Sequence, residues 1–217
     1  NHADRHIRYA ARLALEHIDA KLWQDRAIAE KDPQTLISAS IALARQGDKS
    51  LQSRLVAALN AVDIAKLSET QQLELLRGYA LTFIRMGKPD AVTAGKLAQR
   101  LDPLYPSKSN AMNRELSRVL VYLNSPTVVD KTLELLERKY KPDPLATAAL
   151  LARNPGYGRT VAAMLANQPE IEKIHHALVL RNQRYGWTLE QRKRYFAYLS
   201  EAGKKNGGAS YRGFINN

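Results

Sequence analysis

The sequence predicts an all-α fold of about eleven helices, and three observations lead to this prediction. Apolar residues recur at helical spacing almost throughout the 217 residues. Short links, most of them of two to six residues and rich in proline, glycine and capping side chains, separate the periodic segments. No alternating stretch of useful length appears, so a sheet is not expected. Alanine and leucine dominate the periodic segments, which favours closely stacked helices.

The helices are assigned from periodicity and from their start and stop signals. A helix stop followed by a cap for the next helix is present at Gln46-Gly47-Asp48. The spacing of a capping box is present at Ser68 and Gln71. Pro89 stands where a first helical turn tolerates proline. The predicted helices cover residues 4–18, 35–45, 50–62, 68–87, 91–101, 110–123, 127–140, 145–153, 159–166, 170–184 and 189–202.

The short links favour one arrangement of these helices. They make consecutive helices antiparallel neighbours, and a four-helix bundle has no place for eleven of them. A solenoid of helical hairpins, in which each hairpin buries its face against the next, accommodates all of them. We therefore expect one repeat domain over residues 1–205.

The first helix carries the pattern Asp4-x-x-Ile7-Arg8-x-x-Ala11-x-x-Ala14-Leu15, which resembles the HEAT repeat. In that repeat an aspartate caps the helix, an arginine lies along the stack, and alanines allow close approach of helices. A weaker copy covers residues 125–136. The matching residues of the first copy are Asp4, Ile7, Arg8, Ala11, Ala14 and Leu15. The resemblance implies a right-handed α-solenoid of HEAT-like helical hairpins.

The composition limits the chemistry and locates the charge. The net charge is +12, of which residues 138–217 carry +9 and residues 1–137 only +3. Such a field attracts nucleic acid, anionic lipid, acidic polysaccharide or an acidic protein. The absence of cysteine excludes disulfides, thiolate catalysis and cysteine-ligated zinc. No apolar stretch reaches the ~18 to 20 residues that span a bilayer.

The sequence favours no enzyme site and no metal site. His175 and His176 are adjacent, so they point about 100° apart on a helix and do not face one ion. Gly156-Tyr157-Gly158 is most simply a turn, although its amides with Arg159 would suit an anion. No nucleophile elbow, phosphate-binding loop or dinucleotide fingerprint is present.

A basic and aromatic C-terminal face is the candidate binding surface. Arginines interleaved with aromatic rings suit a phosphate backbone and stacked bases. The plainer interpretation is a solvated basic face, with Trp187 covering a hairpin junction. The candidate residues are Arg153, Arg159, Arg181, Arg184, Trp187, Arg192 and Arg194.

The end of the chain carries a second resemblance. The motif consists of Tyr185-Gly186-Trp187-Thr188-Leu189-Glu190-Gln191-Arg192, then Tyr195-Phe196, then Gly207-Gly208-x-Ser210-Tyr211-x-Gly213-Phe214. It resembles the HEAT-repeat region of large exported bacterial proteins, known from planctomycetes, verrucomicrobia and bacteroidetes. Those proteins carry a c-type cytochrome domain with a CxxCH haem-binding motif, often beside a dehydrogenase-like propeller.

This resemblance implies an extracytoplasmic, periplasmic module of a redox or polysaccharide-degrading protein. Residues 206–217 then form a glycine-rich exit towards a C-terminal domain. The chain has no CxxCH, so no haem ligand is assigned here and haem c would belong to a neighbouring domain. No cofactor is expected in this chain.

The leading functional hypothesis is a non-catalytic scaffold that positions neighbouring domains or binds another protein. The alternative is a basic, HEAT-like nucleic-acid-binding protein such as an alkylpurine DNA glycosylase. Such an enzyme gathers aromatic rings and an acid around an unstacked nucleotide. Trp23 and Trp187 lie far apart in this sequence, and no acid between aromatic residues matches such a site. An acidic-polysaccharide binder fits the charge but has no motif.

Overall fold

The helical character predicted from the sequence is confirmed. The computed structural model describes residues 2–138, 152–153, 167–206 and 209–216. Across these ranges there are eleven α-helices and no strand. The helices are α1 Arg5–Glu16, α2 Gln24–Ala29, α3 Pro33–Gln46, α4 Gln52–Asn60, α5 Glu69–Met86, α6 Ala91–Leu101, α7 Asn110–Tyr122, α8 Val128–Glu137, α9 Ile171–Leu180, α10 Leu189–Ala202 and α11 Ala209–Asn216. Short 3-10 helices form at Ala20–Leu22, Lys49–Leu51, Ile64–Lys66 and Asp102–Leu104.

Two of these helices were not expected from the sequence. Helix α2 is only six residues long and too short to show a clear period. Helix α11 lies in residues 206–217, which the sequence predicted to be a glycine-rich exit segment. The hydroxyl of Tyr211 donates to the carbonyl of Ala202 at 2.6 Å, which attaches α11 to the end of α10. The sequence assigned no helix to this segment, and its role as an exit towards a further domain stays a prediction.

The chain forms two compact units, Asn1–Ser125 and Pro126–Asn217, which are described separately. The boundary falls at the Ser125-Pro126 link. One repeat domain over residues 1–205 stays a prediction. The predicted helices 145–153 and 159–166 lie outside the described residues, apart from positions 152 and 153.

Polar side chains define where most helices begin. The carboxylate of Asp4 accepts from the amide of His6 at 2.7 Å, and Asp32 accepts from the amide of Thr35 at 2.8 Å. Ser68 and Gln71 form the predicted capping box at the start of α5. A second capping box opens α10. Each cap satisfies an amide that has no partner inside its helix.

Helices of the unit Asn1–Ser125 pack in two rows. Helices α1, α3, α5 and α7 form the first row, in which each contacts the next. Helices α2 and α4 contact each other behind it, and both contact α3. Leucines and isoleucines from both rows fill the space between them, and the largest fully buried ones include Ile37, Leu43, Leu55, Leu59, Leu76 and Leu116.

Arg100 on α6 joins the end of α4 to this core. Its guanidinium donates to the carbonyl of Asn60 at 2.7 Å, to the carbonyl of Val62, and to the hydroxyl of Tyr79 at 3.2 Å. That hydroxyl donates in turn to the side-chain oxygen of Asn60 at 2.8 Å. Burial raises the pKa of Tyr79, so it stays a neutral donor. This one side chain therefore satisfies the last carbonyl of α4, that of Asn60, and the carbonyl of Val62 just beyond the helix.

The unit Pro126–Asn217 is built around α8, which contacts both α9 and α10. Tyr195 of α10 is buried, and its hydroxyl donates to the carbonyl of Ala177 in α9 at 2.9 Å. Leu133, Leu136 and Leu180 are buried in the same unit. In the part of the chain that the structure describes, no helix is long and apolar enough to cross a membrane.

A glycine in α6 offers a test of the helix assignment. Gly95 lies inside α6, and a Cβ added there would meet open space. Gly95→Ala is therefore expected to raise the free energy of unfolding by about 0.8 kcal/mol, since alanine loses less backbone entropy in a helix. Thermal or urea unfolding measures this. Gly47→Ala is the contrast, because its Cβ would lie 2.7 Å from the carbonyl oxygen of Leu43. Gly47→Ala should lower the free energy of unfolding. Equal effects of the two substitutions would contradict the assignment of Gly95 to the interior of α6.

Candidate functional site

Three depressions lie along the first row of helices in the unit Asn1–Ser125. The first, of about 230 Å³, lies between α1 and α3 and is mainly apolar. Ile7, Ala11, Leu15 and Ala39 supply its apolar wall. Ile7 is about half exposed, at 49%. This end of the row therefore has a shallow apolar depression that an apolar side chain can enter.

The second depression lies between α1, α3 and α5 and is rich in arginine. Its volume is about 300 Å³. It has one carboxylate, that of Glu74, and two rings, those of His6 and Tyr9. The arginines that line it are Arg5, Arg8, Arg12 and Arg77. Its floor is therefore strongly positive.

The third depression lies between α5 and α7, with a volume of about 300 Å³. Its apolar lining includes Phe83, Ile84 and Tyr122. The rings of Phe83 and Tyr122 stack with centroids 5.5 Å apart. Ile84 is 70% exposed, which is unusual for a large apolar side chain next to two rings.

Shared residues connect the three depressions. Arg8, Arg12 and Ser38 line both the first and the second, and Arg77 lines both the second and the third. We call the three together the long groove. It is apolar at both ends and positive in the middle.

The arginines of the long groove are not equally available to a ligand. Arg8 donates to the carbonyls of His2 and Ala3, each at 2.8 Å, and lies 4.0 Å from the carboxylate of Glu74. Arg12 stacks over the ring of Tyr9 and pairs with Glu16 at 3.4 Å. These partners hold both guanidinium groups in place.

Arg5 and Arg77 have no carboxylate partner among the residues that the structure describes. Arg5 donates to the neighbouring ring of His6 at 3.4 Å, and both arginines are exposed. Glu74, the acid nearest to Arg77 in sequence, instead accepts from the amide of Gln34 at 2.5 Å. The uncompensated charge of the long groove therefore comes from these two arginines.

The predicted C-terminal face is only partly assembled. Trp187 is half-buried, its ring lies 5.4 Å from that of Tyr195, and its Nε1 donates to the carbonyl of Gln183 at 2.6 Å. Arg181 lies near Tyr195, where burial raises the pKa of the phenol and the arginine partly offsets this. Trp187 thus packs at the junction between α9 and α10.

The predicted arginines of this face have different surroundings. Arg181, Arg184 and Arg192 are exposed at the surface of the unit Pro126–Asn217. Arg153 is exposed as well, whereas Arg159 lies outside the described residues. Arg194 binds Glu137 through two hydrogen bonds of 2.7 Å and lies 3.6 Å from Asp130, so it links α10 to α8.

This ion pair predicts a pH-dependent stability. Hydrogen bonds from Arg194 lower the pKa of Glu137, so the pair stabilises fully above the ordinary pKa of a glutamate and loses its effect as pH falls through the lowered value. Arg194→Ala should lower the free energy of unfolding by about 1 kcal/mol at pH 7 and by less below about pH 4. The loss is small because both groups are partly exposed. Urea unfolding at both pH values measures the difference. Arg192→Ala, an exposed neighbour, should cost nothing measurable, and a pH-independent effect of Arg194→Ala would contradict the pairing.

Sequence reasoning missed the long groove. Residues 1–137 carry a net charge of only +3, which concealed a local cluster of arginines. The available signal was the spacing of Arg5, Arg8 and Arg12, which places three arginines on one face of α1. The contribution of Arg77 comes from packing of α5 against α3 and has no local signal.

Comparison with known proteins adds no relative. No family model, no curated protein and no solved structure matches the chain. Among the described side chains, no group of three or more histidines and carboxylates is placed to hold a metal ion.

Proposed function

We propose that this chain is a non-catalytic helical-repeat scaffold that binds another protein or a neighbouring domain. The observation that carries the proposal is the long groove, which exposes apolar side chains along four helices beside Arg5 and Arg77, two arginines without a carboxylate partner among the described residues. A large exposed apolar side chain such as Ile84 costs solubility, and a partner that covers it explains its presence.

The proposed architecture is a right-handed α-solenoid of HEAT-like hairpins. The two-row packing of α1 to α5 supports it, because hairpins stacked side by side produce two such rows. Two contacts of the first HEAT-like copy support the proposal as well. Asp4 caps α1, and Arg8 reaches along the row to Glu74 of α5. In a solenoid the exposed row provides an extended binding surface.

The proposed context is a larger, extracytoplasmic, periplasmic protein with a haem-containing redox domain. Its support is the resemblance of the segment 185–214. Within this chain, α11 provides a helical rather than a coiled connection in that segment. The haem and any catalytic group would belong to another part of that protein.

The nucleic-acid alternative has less support. Trp23 is buried in the unit Asn1–Ser125, and its Nε1 donates to the carbonyl of Ile18 at 3.2 Å. Trp187 belongs to the other unit and packs against Tyr195. The indole of Trp23 is therefore closed to an extruded base, and that of Trp187 is only partly exposed.

Site-specific photo-crosslinking in the cells that make the protein tests the scaffold proposal. A photoreactive amino acid at position 84 should give a discrete crosslinked protein, because Ile84 lies in the long groove. The same amino acid at position 92 on α6 is the matched control, since Val92 is similarly exposed, at 66%, and is not among the groove residues. Adducts at neither position, or equally at both, would overturn the proposal.

A further inference from the structure

We infer that the long groove binds an extended, acidic protein segment with an apolar side chain at each end. This inference rests on the proposed function and names its partner by chemistry. The groove is apolar at its first and third depressions and positive at the second. An occupant that matches it carries carboxylates in its middle and apolar anchors on both sides.

The dimensions of the groove fit such a segment. Neighbouring helices pack about 8 to 10 Å apart, so the row from α1 to α7 spans roughly 25 to 30 Å. An extended chain advances about 3.3 Å per residue, which makes this the length of roughly 8 to 9 residues. A segment of that length reaches from Leu15 and Ile7 at one end to Ile84 and Tyr122 at the other.

The charge of the middle depression selects carboxylates. Arg5 and Arg77 lack a carboxylate partner within the described ranges, and Arg8 and Arg12 are held in fixed positions by their own contacts. A guanidinium that is already positioned loses less conformational entropy on binding. Arg77 lines both the second and the third depressions, so it lies where the positive part of the groove joins an apolar end.

Two carboxylates in the groove argue for a protein segment over a nucleic acid. Glu74 stands among the arginines of the second depression, and Glu115 lines the third beside Arg118. A phosphate backbone, which carries a negative charge at every nucleotide, would be repelled by both carboxylates. A peptide can place neutral or apolar residues opposite Glu115 while its acids face Arg5 and Arg77. Apolar end depressions also suit side chains better than sugar and phosphate.

Matched peptide pools and the intact protein test the inference. Both pools consist of peptides of about 9 residues, with leucine, isoleucine or phenylalanine at each end. The central positions are aspartate and glutamate in one pool and asparagine and glutamine in the other. Immobilised wild-type protein is expected to retain the acidic pool about tenfold better than the amide pool at low salt.

Charge reversal in the groove should remove this preference. Arg77→Glu is expected to reduce retention of the acidic pool about tenfold, and Arg77→Gln by less, because it removes attraction without adding repulsion. Lys96→Glu on α6 makes the same change of net charge at another exposed position and should retain the wild-type preference. Thermal unfolding of each variant verifies that the fold is intact.

Each remaining outcome overturns the inference. These outcomes are equal retention of both pools, equal effects of Arg77→Glu and Lys96→Glu, or stronger retention of a single-stranded oligonucleotide than of the acidic pool. Crosslinks at position 84 without any acidic preference would leave the scaffold proposal standing and remove only this inference. If neither crosslinks at position 84 nor an acidic preference is found, both the scaffold proposal and this inference are overturned.

Discussion

Replacement of Arg100 by methionine is expected to lower the free energy of unfolding by about 3 kcal/mol. The change keeps the apolar stem of the side chain but removes the guanidinium that donates to the carbonyls of Asn60 and Val62 and to the hydroxyl of Tyr79. Hydrogen bonds to a charged group contribute about 1.5 to 3 kcal/mol, and the carbonyls left behind are partly buried. Urea unfolding monitored by circular dichroism measures the loss.

Arg77→Met is the matched control for this prediction. Arg77 is exposed on α5 and has no carboxylate partner among the described residues, so its replacement should change the stability by less than about 0.5 kcal/mol. If both variants lose the same free energy, the arginine network at the end of α4 contributes nothing specific. A large effect of Arg77→Met alone would place a structural role in the long groove instead.

Trp187→Ala is expected to destabilise the unit Pro126–Asn217 by about 2 kcal/mol. The indole packs against Tyr195 and donates to the carbonyl of Gln183 at 2.6 Å. Truncation of a buried tryptophan costs about 3 to 5 kcal/mol, and the half-buried position of Trp187 reduces this. Thermal unfolding followed by far-ultraviolet circular dichroism measures the loss, because the helical signal remains after the indole of Trp187 is removed.

Tyr185→Ala provides the comparison, because Tyr185 lies two residues away and is 74% exposed. Its loss should leave the stability within about 0.5 kcal/mol of the wild type. The pair of variants separates two interpretations of the aromatic residues near the end of α9. A stable Trp187→Ala variant would favour the ligand-binding interpretation that the sequence raised for this residue.

The helices were predictable because their signals are local. Ser68 with Gln71, and the aspartates at positions 4 and 90, mark helix starts through contacts within three residues. Glycine at position 87 has a positive φ of 102° directly after α5, where the sequence placed the stop. Such signals depend on neighbouring residues in the chain and not on the fold.

The helix in residues 206–217 and the long groove were not predictable in the same way. Gly207-Gly208 is a strong breaker, so the helix that follows it depends on contacts such as that of Tyr211 with Ala202. The groove requires α1, α3, α5 and α7 to lie side by side. Arg5 and Arg77 are separated by more than seventy residues in the sequence, and no spacing rule joins them.

The two-row packing of the first unit also bears on synthesis at the ribosome. Each α-helix from α1 to α5 makes its main contacts with α-helices that are at most two positions away in the order of α-helices along the chain. A nascent chain can therefore cover the apolar face of α1 as soon as α3 has emerged, and that of α3 once α5 follows. Little apolar surface needs to wait for distant segments, which reduces the exposure of unfinished chains to aggregation.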